Sequence, residues 1–225
     1  MGQGTGFDTR TMTDNDNRFT HRITLLRHGE STGNAQGVYQ GRAEYDLSPR
    51  GRSQAQLLAK HWLQEDITFA KIISSPQARA KQTAEIISGI ISVPVEFDRL
   101  WQEIDNGILA GLPLEEAAIK HPFPENMTPF DPIGESGESN WDLYRRAGKA
   151  VQELVKRPAG NYLVVSHGGF LNRVLYAIMG IVPQVNFSGV RFRFGNASYA
   201  VLEYDPSAHI WLVECLNFSP ISSSV

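Results

Sequence analysis

The chain is predicted to be an α/β domain, with three α/β/α layers around a mostly parallel central sheet. Two observations predict it. Short apolar runs alternate with segments of helical periodicity, and three of those runs end in polar clusters leading toward helices. With 225 residues, 41% hydrophobic and 20% charged, the chain can bury one sizeable core. The single domain is expected over residues 21–217. Residues 1–20 are rich in Thr, Asp, Asn and Gly without an apolar centre, so a flexible tail is expected there and not a signal peptide. Residues 218–225 are the expected C-terminal tail.

Ile23-Thr24-Leu25-Leu26 is the first strand candidate. Ser48-Pro49 predicts a helix start, Ser as N-cap and Pro at the first helical position; Ala55, Leu58, Ala59 and Trp62 follow as its buried face. Lys71-Ile72-Ile73-Ser74 predicts the second strand. Ser75-Pro76 repeats the start signal, with Ala80, Thr83, Ala84 and Ile87 as the next stripe. Val93–Phe97 reads as a short extended piece near a sheet edge, because Pro94 lacks a backbone donor.

Pro113, Pro122, Pro124, Pro129 and Pro132 set residues 111–138 apart as a lid-like insertion with room for a short helix at 114–120. Ser139 and Asp142 resemble a capping box before a long helix. Its apolar face would carry Trp141, Tyr144, Ala147, Val151 and Leu154, and Pro158 stops it. Tyr162-Leu163-Val164-Val165 predicts a buried strand, and Gly168-Gly169 lead into a helix reaching about Met179. Segments 190–194, 197–204 and 210–216 are the last predicted strands, with Asp205-Pro206 as a turn between the final two.

A formal net charge of -3 offers no basic face for nucleic acid, so an anionic ligand must be drawn by local positive charge. No apolar run reaches the roughly 20 residues needed to cross a bilayer. The single cysteine, Cys215, cannot form an internal disulfide and sits in a predicted strand as a small core residue. A cytoplasmic location without nucleic-acid or membrane partners is expected, and a homo-oligomer is compatible with the sequence.

Chemistry concentrates at the strand ends. The first strand runs into Arg27-His28-Gly29-Glu30-Ser31, the second into Ser74-Ser75 with Arg79 one turn into its helix, and a later one into Ser166-His167-Gly168-Gly169. Ligands of open parallel sheets bind beyond the carboxyl ends of the strands, so neighbouring strands would gather Arg27, His28, Arg79 and His167. Gly168-Gly169 would add a helix N-terminus, a ready site for an anion. Arginine matches phosphate oxygens bidentately, and a neutral imidazole can carry a phosphoryl group between two displacements. Glu103, among Leu100, Trp101 and Ile104, is the candidate proton donor, its pKa expected to rise by desolvation. No spaced Cys/His set suggests a metal, and His28 with Glu30 across a glycine makes a poor pair of ligands.

Leu25-Leu26-Arg27-His28-Gly29-Glu30-Ser31 with Asn34 resembles the signature of the histidine phosphatase superfamily, the phosphoglycerate mutase-like family. Tyr39-Gln40-Gly41, Asp46-Leu47-Ser48-Pro49-Arg50-Gly51, Ser74-Ser75-Pro76 with Arg79, Glu103-Ile104-Asp105, Gly137-Glu138-Ser139 with Arg145 or Arg146, and Val165-Ser166-His167-Gly168-Gly169 resemble its later blocks in order. The resemblance implies a phosphoglycerate mutase-like fold without metal or cofactor. It implies His28 as the phosphorylated nucleophile, and Arg27, Arg79 and His167 as holders of the phosphoryl group. Asn34, Gln40, Gly41 and Gly168 would assist at the phosphate or substrate, and Glu103 would donate the proton and then activate water. The expected substrate is a small phosphorylated metabolite.

Family members include mutases and members without catalysis, and both are alternatives here. The mutases resemble one another in a long basic insertion. Residues 111–138 are short and mostly acidic (Glu115, Glu116, Glu125, Asp131, Glu135, Glu138 against Lys120), so hydrolysis is expected ahead of mutation. The intact set of five candidate catalytic residues argues against a purely phosphate-binding module.

Overall fold

The computed structural model of the chain describes residues 18–220. Most of the two expected tails lies outside the described residues. Six strands form one sheet: β1 (His21–Arg27), β2 (Lys71–Ser74), β3 (Val95–Phe97), β4 (Gly160–Ser166), β5 (Tyr199–Asp205) and β6 (Ile210–Phe218), in the order β3-β2-β4-β1-β5-β6. β3, β2, β4 and β1 are mutually parallel, whereas β5 pairs antiparallel with both β1 and β6.

Alternation along the central strands builds two cores. Leu25 and Val164 face one way, packing with Leu143, Ala147 and Leu154 of α5 (Asn140–Val155) and Phe170, Leu171 and Val174 of α6 (Gly168–Met179). Leu26, Leu163 and Val165 face the other, against Leu58 and Trp62 of α2 (Pro49–Gln64) and Ala84 and Ile87 of α3 (Ala78–Ile91). The three layers follow, as the sequence predicts. Two shorter helices, α1 (Thr32–Ala35) and α4 (Leu114–Lys120), lie outside them, and α4 occupies the position expected inside 111–138. No helix among the described residues is long and apolar enough to cross a membrane.

Several local expectations hold. Ser48 Oγ accepts from Gly51 N at 3.0 Å to cap α2, and Ser139 Oγ accepts from Asp142 N at 3.0 Å to cap α5.

Three expectations are corrected. α3 starts at Ala78, not beside Ser75-Pro76, because Ser75 turns its hydroxyl toward His167; the Ala78 N–H is capped instead by Glu44 at 2.7 Å. The buried stripe of α5 is Asn140, Leu143, Ala147, Ala150 and Leu154. Trp141 and Tyr144 are half-buried at its margin, where the Phe130 ring of the insertion packs at a tilt against Trp141, centroids 5.2 Å apart. Residues 190–194 form no strand. The Asn172 amide takes both backbone groups of Phe192, donating to its carbonyl at 2.6 Å and accepting from its N–H at 2.7 Å, so the ladder is replaced by one side chain.

Candidate active site

The register of the sheet places the chemistry. Arg27 pairs with Ser166 across β1 and β4, and Ser74 pairs with Val165 across β2 and β4, so His28, Ser75 and His167 emerge side by side at the carboxyl ends. The His28 and His167 rings lie 5.2 Å apart, and both residues are almost fully buried.

His28 Nδ1 is 2.6 Å from the Gly29 carbonyl. A carbonyl can accept but not donate, so Nδ1 carries the hydrogen and Nε2 keeps its lone pair. Burial above all, then the charges of Arg79 and Arg27, holds the imidazole well below its ordinary pKa, outweighing the opposing pull of the Gly29 carbonyl. His167 is lowered in the same way, by burial first and then by Arg79 and His28. Both rings are therefore neutral near pH 7.

His167 Nε2 lies 2.8 Å from Ser75 Oγ, and that oxygen also accepts from Gln77 N at 3.3 Å. The Ser75 proton is then free to point at Nε2, which puts the imidazole hydrogen on Nδ1. His167 Nδ1, Arg27 Nε and Arg79 Nε are all buried without a hydrogen-bond partner. Three unsatisfied nitrogens, two at strand ends and one in the first turn of α3, two of them cationic, are suited to an anion with several oxygens.

Three of the four other guanidinium nitrogens are tied down. Arg79 donates to the carbonyls of Gly41 at 2.8 Å and Ala43 at 3.0 Å, and Arg27 to that of Phe194 at 2.7 Å. Burial lowers the Arg79 pKa to about 10, which leaves it charged at neutral pH.

The environment of Glu103 differs from the apolar one expected. Its carboxylate accepts from Phe170 N at 2.8 Å, Ile104 N at 3.0 Å and Gly169 N at 3.1 Å. The N-terminus of α6, foreseen as a seat for the ligand's charge, thus holds the protein's own carboxylate. A Cβ at Gly169 would lie 2.7 Å from Glu103 Oε1, so the close approach requires glycine there.

Of the remaining expected residues, Gly168 opens α6 with the Arg27 side chain about 3.5 Å from where its Cβ would be. Gly41 contributes its carbonyl to Arg79 and Gln77. Asn34 and Gln40 stand one layer back. Asn34 Oδ1 lies 3.1 Å from Asn196 Nδ2 and 2.9 Å from Ser31 Oγ, and Gln40 Oε1 is 2.7 Å from the same hydroxyl.

Sequence reasoning assigns no role in the site to three supports, of which it singles out Ser75 and the pair Arg145/Arg146 but not Gln77. Buried Gln77 bridges two loops, its amide donating to Gly41 O at 2.9 Å and accepting from Glu103 N at 2.7 Å. Ser75 orients His167. Arg146, not Arg145, locks the Glu103 segment: it donates to the carbonyls of Leu100, Gln102 and Glu103 and forks onto Glu138 at 2.8 and 2.7 Å. Arg145 is exposed beside Asp142. An arginine on the inner side of a capped helix was a visible signal; Gln77 had none. Among the described residues, no group of three or more His, Cys, Asp and Glu is placed to hold a metal ion.

The buried histidines have a consequence for stability. Unfolding returns each ring to an ordinary pKa near 6.5, so below that pH the unfolded chain binds protons that the native state refuses. Stability must fall as the pH drops from about 7 to about 5. His28→Asn should make this slope shallower by up to about 1.4 kcal/mol per pH unit. Urea denaturation across that range measures it, and an unchanged slope would mean that His28 is protonated in the folded protein.

The family model of the histidine phosphatase superfamily (branch 1) matches residues 23–218. A probable phosphoglycerate mutase, GpmB of Yersinia enterocolitica, is 32% identical over 201 residues, covering 86% of this chain and 91% of the relative. Phosphoserine phosphatase 1 of Hydrogenobacter thermophilus is 32% identical over 195 residues, covering 85% and 90%. Among solved structures, Bacillus stearothermophilus YhfR superposes with a TM-score of 0.75 at 27% identity, covering 88% of this chain and 96% of that one.

Proposed function

The chain belongs to the histidine phosphatase superfamily (branch 1), and from that premise we propose that it is a metal-independent phosphomonoesterase of small phosphorylated metabolites, working through a phosphohistidine at His28. The observation that carries the proposal is that Arg27 Nε, Arg79 Nε and His167 Nδ1 are all buried and unpartnered beside an imidazole that feels both guanidinium charges, lies 5.2 Å from the His167 ring and keeps its Nε2 lone pair.

In the first step the substrate's phosphoryl oxygens take those three nitrogens. Nε2 of His28 attacks phosphorus in line with the leaving oxygen; the P–N bond forms as the P–O bond breaks. Charge on the equatorial oxygens is met by donors already fixed by Gly41, Ala43, Phe194 and Ser75, so little reorganisation is needed at the moment of reaction. Glu103, in its protonated form, gives the leaving alkoxide a proton. In the second step the Glu103 carboxylate takes a proton from water as that water attacks phosphorus. The P–N bond breaks, and phosphate and neutral His28 are regenerated.

Relatives of similar identity are named both as a mutase and as phosphatases. Water as the acceptor is supported by the shortness of residues 111–138 and by the phosphatase-named relatives. The direct test is turnover of a chromogenic phosphate monoester in excess chelator. Chelator-resistant release of phosphate is expected. Phosphoryl exchange between phosphoglycerates primed by a bisphosphate, without release to water, would instead favour a mutase. Phosphate binding without either reaction would favour a binding module.

A further inference from the structure

Beside the phosphoryl site lies a cavity of about 590 Å³ whose wall carries Arg173, Arg191 and Arg193 with the rings of Phe123, Phe187 and Phe192. Its inner end is the segment that holds the proposed acid. Gly169 and Ile104 both line it, and both give backbone N–H groups to the Glu103 carboxylate, at 3.1 and 3.0 Å. A group bonded to the oxygen that Glu103 protonates would enter this space.

The charge of the cavity is one-sided. No Asp or Glu lines it, and none of the three arginines has an ion-pair partner among the described residues. Arg173 donates to the Asn140 amide at 2.6 Å and Arg191 to the Phe187 carbonyl at 3.0 Å, both neutral acceptors. Burial first, and the like charge of Arg191 with it, lowers the Arg173 pKa against the opposing pull of Tyr176 and of the Glu103 carboxylate at the cavity's inner end, so the two guanidiniums share a field that no direct ion pair neutralises. The acidic residues of 111–138 do not contribute to this wall; from that insertion the cavity takes apolar Phe123, which meets Phe187 edge to face at 5.5 Å, and Ile133. The volume exceeds what a three-carbon alcohol fills and lies in the range of pockets for larger ligands.

We propose that this cavity receives the alcohol half of the substrate, and that this half bears a second anion, a carboxylate or a further phosphate, on an apolar or ring-containing body. The proposal rests on the phosphomonoesterase reading of the adjoining site. It turns the lid's charge argument around: selectivity comes from α6 and the segment after it, not from residues 111–138.

Four benzyl phosphates with near-equal leaving groups test it: unsubstituted, para-carboxymethyl, para-phosphonomethyl and para-aminomethyl. The intact protein should hydrolyse both anionic esters with kcat/KM about tenfold above the neutral one, and the aminomethyl ester should be poorest. Whichever anionic ester leads identifies the anion. In the double variant R191A/R193A, both residues being exposed, the anionic preference should shrink to about twofold, chiefly through KM. Equal or better hydrolysis of the aminomethyl ester, or a preference that survives the double substitution, would overturn the proposal. Should no ester be hydrolysed, the phosphomonoesterase reading fails by itself. Calorimetric affinities of the same four compounds then decide the cavity's charge preference, with the same ranking expected and the same reversal counting against it.

Discussion

His28→Ala should lower kcat/KM for any phosphate monoester by about ten-thousandfold or more while inorganic phosphate still binds. The two halves of this expectation come from different atoms. Binding rests on Arg27, Arg79 and His167, whose free nitrogens do not depend on His28. Their supporting bonds run to Gly41, Ala43, Phe194 and Ser75. Bond making rests on the Nε2 lone pair, for which alanine offers nothing. Phosphate titration by calorimetry beside a turnover assay separates the two. Retained turnover would remove His28 from the chemistry, and loss of phosphate binding would mean that the imidazole organises the anion site instead of attacking within it.

Glu103→Gln should slow hydrolysis of alkyl phosphates by about a hundredfold to ten-thousandfold. An amide can still accept one of the backbone N–H groups at the start of α6, so the fold around Gly169 and Phe170 is retained, but it has no proton to give or take. The defect should depend on the leaving group. A nitrophenolate departs without help, so the first step on an aryl phosphate should stay fast while the second, which needs a base for water, becomes slow. Rapid mixing should then show a burst of nitrophenol close to one per enzyme followed by slow turnover. Equal slowing of alkyl and aryl esters without a burst would show that Glu103 moves no proton and serves α6 alone.

Much of this was legible in the sequence because it is local. Arg27, His28, Ser75 and His167 each follow an apolar run directly, so predicting the strands placed them at carboxyl ends, and parallel pairing of β1, β2 and β4 brought those ends together. The helix caps Ser48 and Ser139 are also short-range signals and appear where expected. What was not legible depends on distant partners. Glu103 sits among apolar neighbours in sequence, yet its carboxylate meets the N–H groups of residues more than sixty positions away. Ser75 reads as a helix cap until His167 comes within 2.8 Å of it. Residues 190–194 alternate like a strand, but Asn172 claims the backbone of Phe192 first. The charge of the cavity beside Glu103 was not legible for the same reason. Counting acids along 111–138 said nothing about which side chains face inward, and the arginines that do come from other segments.

Between the two displacements the phosphoryl group should reside on His28, and trapping it there is the decisive experiment. The protein is mixed with an aryl phosphate, quenched in alkali within the first turnover, digested and mapped by mass spectrometry. One phosphoryl group should be found on the peptide containing His28, stable to alkali, labile to acid and more abundant in Glu103→Gln. A phosphoryl group on any other residue, or turnover with none trapped even when Glu103 is replaced, would rule out His28 as the nucleophile.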